Sequence, residues 1–332
     1  MQRWINQVWY GKSLFRWILM PLSWLYALVT AMRRCLYRLG IKKSISLPVP
    51  VIVVGNITVG GSGKTPTVIY LIELLRQQGY RPGVISRGYG VNIEGVKSVF
   101  VGAKANEVGD EPAMIVARTQ VPMVVGSQRI QAADQLLSDF DVDIIISDDG
   151  LQHYGMARDI EIVILDGDRR LGNGMLLPAG PLREGAWRLD QADFVISNGG
   201  EARGGEYLMT LLPKQVTPLL ATSTFTFNLH DPVVAIAGIG YPQRFFNSLK
   251  VLGYQVHKTH AFDDHQAYHL SDINNVAGSY PLLMTEKDAI KCGDFAQENW
   301  GYLAVDASMS AEFEHHFLDK ISARIQAHSS HF

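Results

Sequence analysis

The residues best suited to chemistry stand together at Thr58-Val59-Gly60-Gly61-Ser62-Gly63-Lys64-Thr65. An apolar run, SLPVPVIVVGNI (46–57), precedes them and TPTVIYLIELLRQQG (65–79) follows, so the segment reads as a loop from a buried strand into a helix. Such a loop offers backbone N–H groups and the positive end of a helix dipole to an anion. The glycines let the backbone curl round phosphates, Lys64 reaches the β and γ phosphates, and the Thr65 hydroxyl reaches Mg²⁺. The pattern G-x-x-x-x-G-K-[ST] has its first glycine where this chain has Thr58, at a position that often needs an unusual backbone angle. The order of strand, glycines, Lys-Thr pair and helix nevertheless predicts a nucleotide site rather than an exposed turn.

A phosphate loop of this kind needs an acidic residue at the end of another strand to hold Mg²⁺. VDIIISDDG (142–150) supplies Asp148 and Asp149 after an apolar run. Other candidates are weaker when read alone. Asp110, in Gly-Asp-Glu-Pro, reads as a helix N-cap with Pro112 in the first turn. His265 reads as a loop histidine, and a metal site with His257, His260 and His269 is not preferred. Arg87, Arg129 and Arg183, read alone, are surface arginines. Guanine-specific switches carry Asn-Lys-x-Asp, and the nearest match, Thr285-Glu286-Lys287-Asp288, lacks the asparagine; the LSGGQ of transporter ATPases is absent too.

The elements that must position these residues alternate. Strands are predicted within 81–90, 121–126, 142–150, 160–167 and 192–200, with helices over 65–79 and 127–140. That alternation implies a mostly parallel sheet covered on both faces. The pattern weakens into small and polar residues around 200–230, read as a hinge. A smaller α/β unit follows, with strands at 233–240, 254–262, 281–285 and 302–307, and helices at 241–253 and about 311–327. The expected division is 1–45, 46–220 and 221–332.

The net charge of −2 argues against a nucleic-acid binder, and the two cysteines, Cys35 and Cys292, fit a reducing cytosolic setting. The average conceals an asymmetry: residues 1–43 hold eight basic side chains and no Asp or Glu. Between Arg16 and Arg33 lie sixteen uncharged residues, and four of the six tryptophans (Trp4, Trp9, Trp17, Trp24) fall in this N-terminal segment. Sixteen helical residues span about 24 Å, short of the roughly 30 Å hydrocarbon core. Tryptophan and unopposed positive charge favour a helix lying in the cytoplasmic membrane face, over a cleaved signal, a full span or a core helix.

Seven short motifs occur in order: TVGGSGKTP (58–66), SRGYG (86–90), GDEP (109–112), ISDDGLQH (146–153), LLPAGPLRE (176–184), FDDHQ (262–266) and TEKDAIK (285–291). Together they resemble the tetraacyldisaccharide 4′-kinase (lipid A 4′-kinase) family over nearly the whole chain. The resemblance implies an α/β P-loop kinase with a smaller C-terminal α/β domain, using ATP and Mg²⁺. It would phosphorylate the 4′-hydroxyl of a membrane-resident tetraacyldisaccharide 1-phosphate at the cytoplasmic face of the inner membrane, with no nucleic acid or protein partner implied. It makes Thr58 the family's own form of the loop and Asp110 the base, assisted by His265 from the second domain. Arg129 and Arg183 become phosphate contacts, and Arg87 and Tyr89 line the site. Whether Asp110, Asp149 or a water relay takes the proton stays open. The rival reading is a membrane-associated NTPase switch acting on a protein; a soluble sugar or nucleoside kinase would leave the N-terminal tryptophans unexplained.

Overall fold

In a computed structural model of the chain, residues 2–329 are described. The strands are β1 (Val51–Gly55), β2 (Pro82–Ser86), β3 (Val96–Val99), β4 (Met123–Gly126), β5 (Ile144–Asp148), β6 (Ile160–Asp166), β7 (Phe194–Asn198), β8 (Glu206–Pro218), β9 (Pro232–Ala237), β10 (Gln255–Ala261), β11 (Leu282–Thr285) and β12 (Trp300–Ser308). All twelve join one sheet in the order β10-β9-β11-β12-β8-β7-β6-β1-β5-β2-β4-β3. Only the β12–β8 and β3–β4 pairs are antiparallel.

The helices are α1 (Gln2–Tyr10), α2 (Phe15–Arg38), α3 (Lys64–Gln77), α4 (Ala105–Val108), α5 (Asp110–Thr119), α6 (Arg129–Asp139), α7 (Pro242–Val251), α8 (Leu270–Ala277), α9 (Glu286–Cys292) and α10 (Ala311–Ser329). Strand β1 shows why its sequence is apolar throughout. Val51 and Val53 enter one core, with Leu136 of α6, while Ile52 and Val54 enter another, with Leu71 of α3. A strand buried on both faces has no polar side to alternate with.

The stretch expected as a hinge contains β8. Its first residues pair parallel with β7 (Asn198 opposite Met209), and its remainder pairs antiparallel with β12 (Thr210 opposite Ser308). Apart from the fully buried Met209 its side chains are only partly covered, and Lys214, Gln215 and Thr217 break the apolar pattern that would reveal a strand. The C-terminal helix α10 also returns to the P-loop half: Phe313 and Phe317 are fully buried in the core that holds Ile162, Ile164 and Phe194.

At the N-terminus, α1 is packed: Val8 is buried and the Trp9 indole Nε1 donates to Pro178 O at 3.0 Å. By contrast α2 is 24 residues, about 36 Å at 1.5 Å per residue, and runs through Pro21. It is the one described helix long and apolar enough to cross a membrane, and its apolar stretch is almost wholly uncovered. Trp17, Ile18, Trp24, Leu25 and Leu28 are all more than half exposed. Its other side is pinned to the body by polar groups. Ser23 Oγ donates to Leu176 O and accepts from Ala179 N, and Tyr26 Oη donates to Arg183 O.

Candidate active site

The loop from β1 to α3 is held from beneath by two asparagines. Asn56 Nδ2 donates to Gly60 O at 3.1 Å, and Asn198 Nδ2, at the end of β7, donates to Ser62 O at 2.9 Å. Gly63 has φ +100° and lies so close to Asn198 that a Cβ there would stand 2.4 Å from Nδ2. Only glycine fits both demands. Thr58 is not among the described residues with positive φ; it makes an antiparallel bridge to Leu182. The missing glycine is therefore not needed at the head of this loop. Arg169, which the sequence did not single out, donates from Nη2 to Gly61 O at 2.6 Å and pairs with Asp166.

Asp148 ends β5 beside the loop. Ser86 Oγ donates to its Oδ2 at 3.2 Å, and its Oδ1 is buried with no hydrogen-bond partner among the described residues. Burial pushes its carboxyl well above the usual range, with Glu111 and Asp149 adding to the rise. Asp149 faces Lys64 Nζ at 3.7 Å and Arg183 Nη1 at 3.1 Å. Burial opposes its charge, but Lys64 and Arg183 outweigh it and hold its pKa low. Thr65, Asp148 and Asp149 line the cleft together with the P-loop glycines. The Ser62 hydroxyl also lines it, buried and without a hydrogen-bond partner among the described residues.

These features fit a Mg-nucleotide: an unsatisfied carboxylate oxygen, a cationic lysine and a curled glycine backbone around one space. Among the described residues no three His, Cys, Asp or Glu side chains cluster as a metal cage. A cation here would share its coordination with phosphate oxygens, as Mg²⁺ commonly does.

The opposite wall comes from beyond residue 236. The β9–α7 loop approaches the P-loop closely enough that a Cβ on Gly240 would meet Gly61 N at 2.7 Å. The segment after β10 brings His265 Nδ1 to 3.2 Å from Asp110 Oδ2. Asp110 is the first residue of α5, not its N-cap; Gly109 occupies that position with φ +99°. The carboxylate is turned to His265, and despite burial the contacts with His265, Lys291 and Lys287 hold its pKa down. Tyr89 packs edge-on against the His265 ring at 5.0 Å. The cleft between the walls has a volume of about 1270 Å³ and reaches Trp9 and Tyr10 of α1.

The arginines divide. Arg183 and Arg87 line the cleft. Arg129 does not: it is buried, donating from Nη1 to Gly126 O and from Nη2 to Asp148 O. Its guanidinium braces the backbone of the acidic strand end, and burial brings its pKa down to about 10. Asn198 and Arg169 were not legible, because their backbone partners Ser62 O and Gly61 O lie far along the chain; Asn56 was passed over although its partner Gly60 O is close in sequence.

Known proteins resemble this chain over most of its length. The family model for tetraacyldisaccharide-1-P 4′-kinase matches residues 15–322. The tetraacyldisaccharide 4′-kinase of Shewanella baltica is 60% identical, covering 100% of this chain and 99% of the relative. That of Shewanella halifaxensis is 63% identical, covering 97% and 98%. Among solved structures, LpxK from Aquifex aeolicus in complex with ATP superposes with a TM-score of 0.78 at 30% identity, covering 94% of this chain and 99% of that one. With a matching model over most of its length and relatives identical at about six positions in ten, this chain belongs to the tetraacyldisaccharide-1-P 4′-kinase family.

Proposed function

We propose that the chain transfers the γ-phosphoryl group of ATP to the 4′-hydroxyl of tetraacyldisaccharide 1-phosphate in lipid A synthesis. The observation that carries this is a phosphate loop lining a cleft whose opposite wall sets His265 against the Asp110 carboxylate of α5. A nucleotide switch needs the first and has no use for the second.

In this reading the backbone N–H groups of 60–65 and Lys64 bind the ATP phosphates. Thr65, Asp148 and Asp149 hold Mg²⁺, which neutralises phosphate charge when bound. Arg183 and Arg87 bind anionic oxygens of nucleotide or acceptor. Asp110 accepts the proton of the attacking hydroxyl, and His265 orients it. Residues 221–332 close over 46–220 to exclude water, with α10 remaining on the P-loop half; the contacts of Gly240 and His265 support this.

The acceptor's acyl chains make a membrane location physically reasonable, since each CH₂ carries roughly 0.8 kcal/mol of burial. The uncovered face of α2, with Arg33, Arg34 and Arg38 in its C-terminal turns and Lys42 and Lys43 just beyond, supports a monotopic anchor at the cytoplasmic face of the inner membrane. The test is transfer of labelled γ-phosphate from ATP to tetraacyldisaccharide 1-phosphate in mixed micelles, by wild type and Asp110→Ala. Label in the lipid, lost in the variant, supports the kinase. Slow phosphate release indifferent to the lipid would favour the switch.

A further inference from the structure

Lys287, in the first turn of α9, keeps 13% of its side chain exposed, and three acceptors from two other parts of the chain surround its ammonium. Glu111 Oε1 of α5 lies at 3.2 Å, and Asp264 Oδ1 and His265 Nε2 lie at 3.0 and 3.3 Å. Burial opposes the charge, yet Glu111, Asp264 and Asp110 together hold its pKa above the ordinary lysine value. An ammonium has three N–H donors and no lone pair, so three acceptors saturate it. A group that can only donate obliges its partner to accept. Nε2 of His265 therefore presents its lone pair to Lys287, and the proton of the neutral imidazole sits on Nδ1. That nitrogen is the one 3.2 Å from Asp110 Oδ2.

We propose that Lys287 is the positioning residue of the Asp110–His265 pair: it fixes His265 as the neutral Nδ1–H tautomer. The imidazole then donates to Asp110 Oδ2 and leaves that carboxylate ionised, with Oδ1 available for the proton of the acceptor hydroxyl. This rests on Asp110 being the base. The histidine is held firmly enough for such control. Its backbone has φ +62°, a left-handed conformation that residues other than glycine seldom adopt. Its ring is fixed by the edge of Tyr89, by Asp110 on α5 and by Lys287 on α9, with Asp264 at 3.7 Å from Nε2. Lys287 also ties Glu111, the residue after Asp110, to the loop that carries His265. One ammonium thus sets both the proton's place on the ring and the approach of the two walls.

The experiment is ¹⁵N spectroscopy of histidine-labelled full-length protein in detergent micelles at neutral pH, with His265 identified from the spectrum of His265→Gln. Wild type is expected to show the Nδ1–H tautomer. Lys287→Met is expected to lose that preference and to lower kcat for lipid phosphorylation roughly ten- to a hundredfold, with KM for ATP changed less than about twofold. A wild-type His265 carrying its proton on Nε2, or on both nitrogens, overturns the proposal without any variant. So does a folded Lys287→Met that keeps the Nδ1–H tautomer and its kcat. Failure of the underlying assignment is seen separately, as undiminished transfer by Asp110→Asn.

Discussion

Asp110 and His265 are 155 positions apart in the chain, and their Oδ2 and Nδ1 atoms are 3.2 Å apart in space. The contact joins the first turn of α5 to the segment after β10, across the cleft that holds the phosphate loop. Asp110→Asn is expected to lower kcat by about 10²–10⁴, the usual contribution of a positioned base. His265→Ala should cost less. The double variant should be no slower than Asp110→Asn alone, because the two act as one unit. Steady-state transfer assays decide it; additive losses would mean independent roles.

The loop glycines differ in what they tolerate. At Gly63 an added Cβ would meet Asn198 Nδ2 at 2.4 Å in a left-handed backbone, whereas at Gly61 the nearest atom lies 3.8 Å away. Gly63→Ala should lose stability by about 1–3 kcal/mol together with ATP binding. Gly61→Ala should keep its stability within about 0.5 kcal/mol. Denaturant unfolding and calorimetric ATP titration of both variants check this contrast.

Thr58 bridges Leu182 without a left-handed backbone. Restoring the consensus glycine should therefore bring no gain in ATP affinity, and Thr58→Gly should cost about 0.5–1 kcal/mol of stability through added chain freedom. A tighter ATP complex in this variant would show that the threonine strains the loop.

His153 is held neutral by burial, with the guanidinium groups of Arg129, Arg158 and Arg33 adding to the effect, and its pKa falls to about 4. In the unfolded chain it takes up a proton near its ordinary value of about 6.5. Between these values the unfolded state binds more protons, so His153 makes folding stability fall as pH drops from about 6.5 to about 4. His153→Asn should flatten that part of the profile. Denaturation midpoints of both proteins across this range measure the difference.

Trp24 and Leu28 are 66% and 63% exposed on the outer side of α2. Replacing both with glutamate should weaken binding to vesicles containing anionic lipid by at least about tenfold, since each apolar side chain is worth roughly 1.5–3 kcal/mol when buried. ATP binding should be unchanged, because the contacts of α2 with residues 176–183 run through Ser23 and Tyr26 instead. Co-sedimentation with vesicles reads the first expectation. Unaltered sedimentation would remove α2 from the membrane interface.

Short-range chemistry was legible in the sequence. The phosphate loop, the acidic end of β5, the parallel α/β pattern and the apolar, basic N-terminal segment each arise from residues adjacent in the chain, where periodicity, turn preference and charge act locally. Long-range partners were not. Lys287 was visible only as part of TEKDAIK, and Asn198 only as the end of an apolar strand; their meaning lies in atoms contributed from elsewhere. The backbone contacts of Arg129 were hidden for the same reason, since a guanidinium reads identically in sequence whether it faces a phosphate or braces backbone carbonyls. Strand β8 was hidden because a half-covered strand lacks a clean alternation. Local sequence determined which groups this protein carries, and the tertiary structure decided which of them meet, because desolvation and hydrogen bonding depend on distances that the order of residues does not contain.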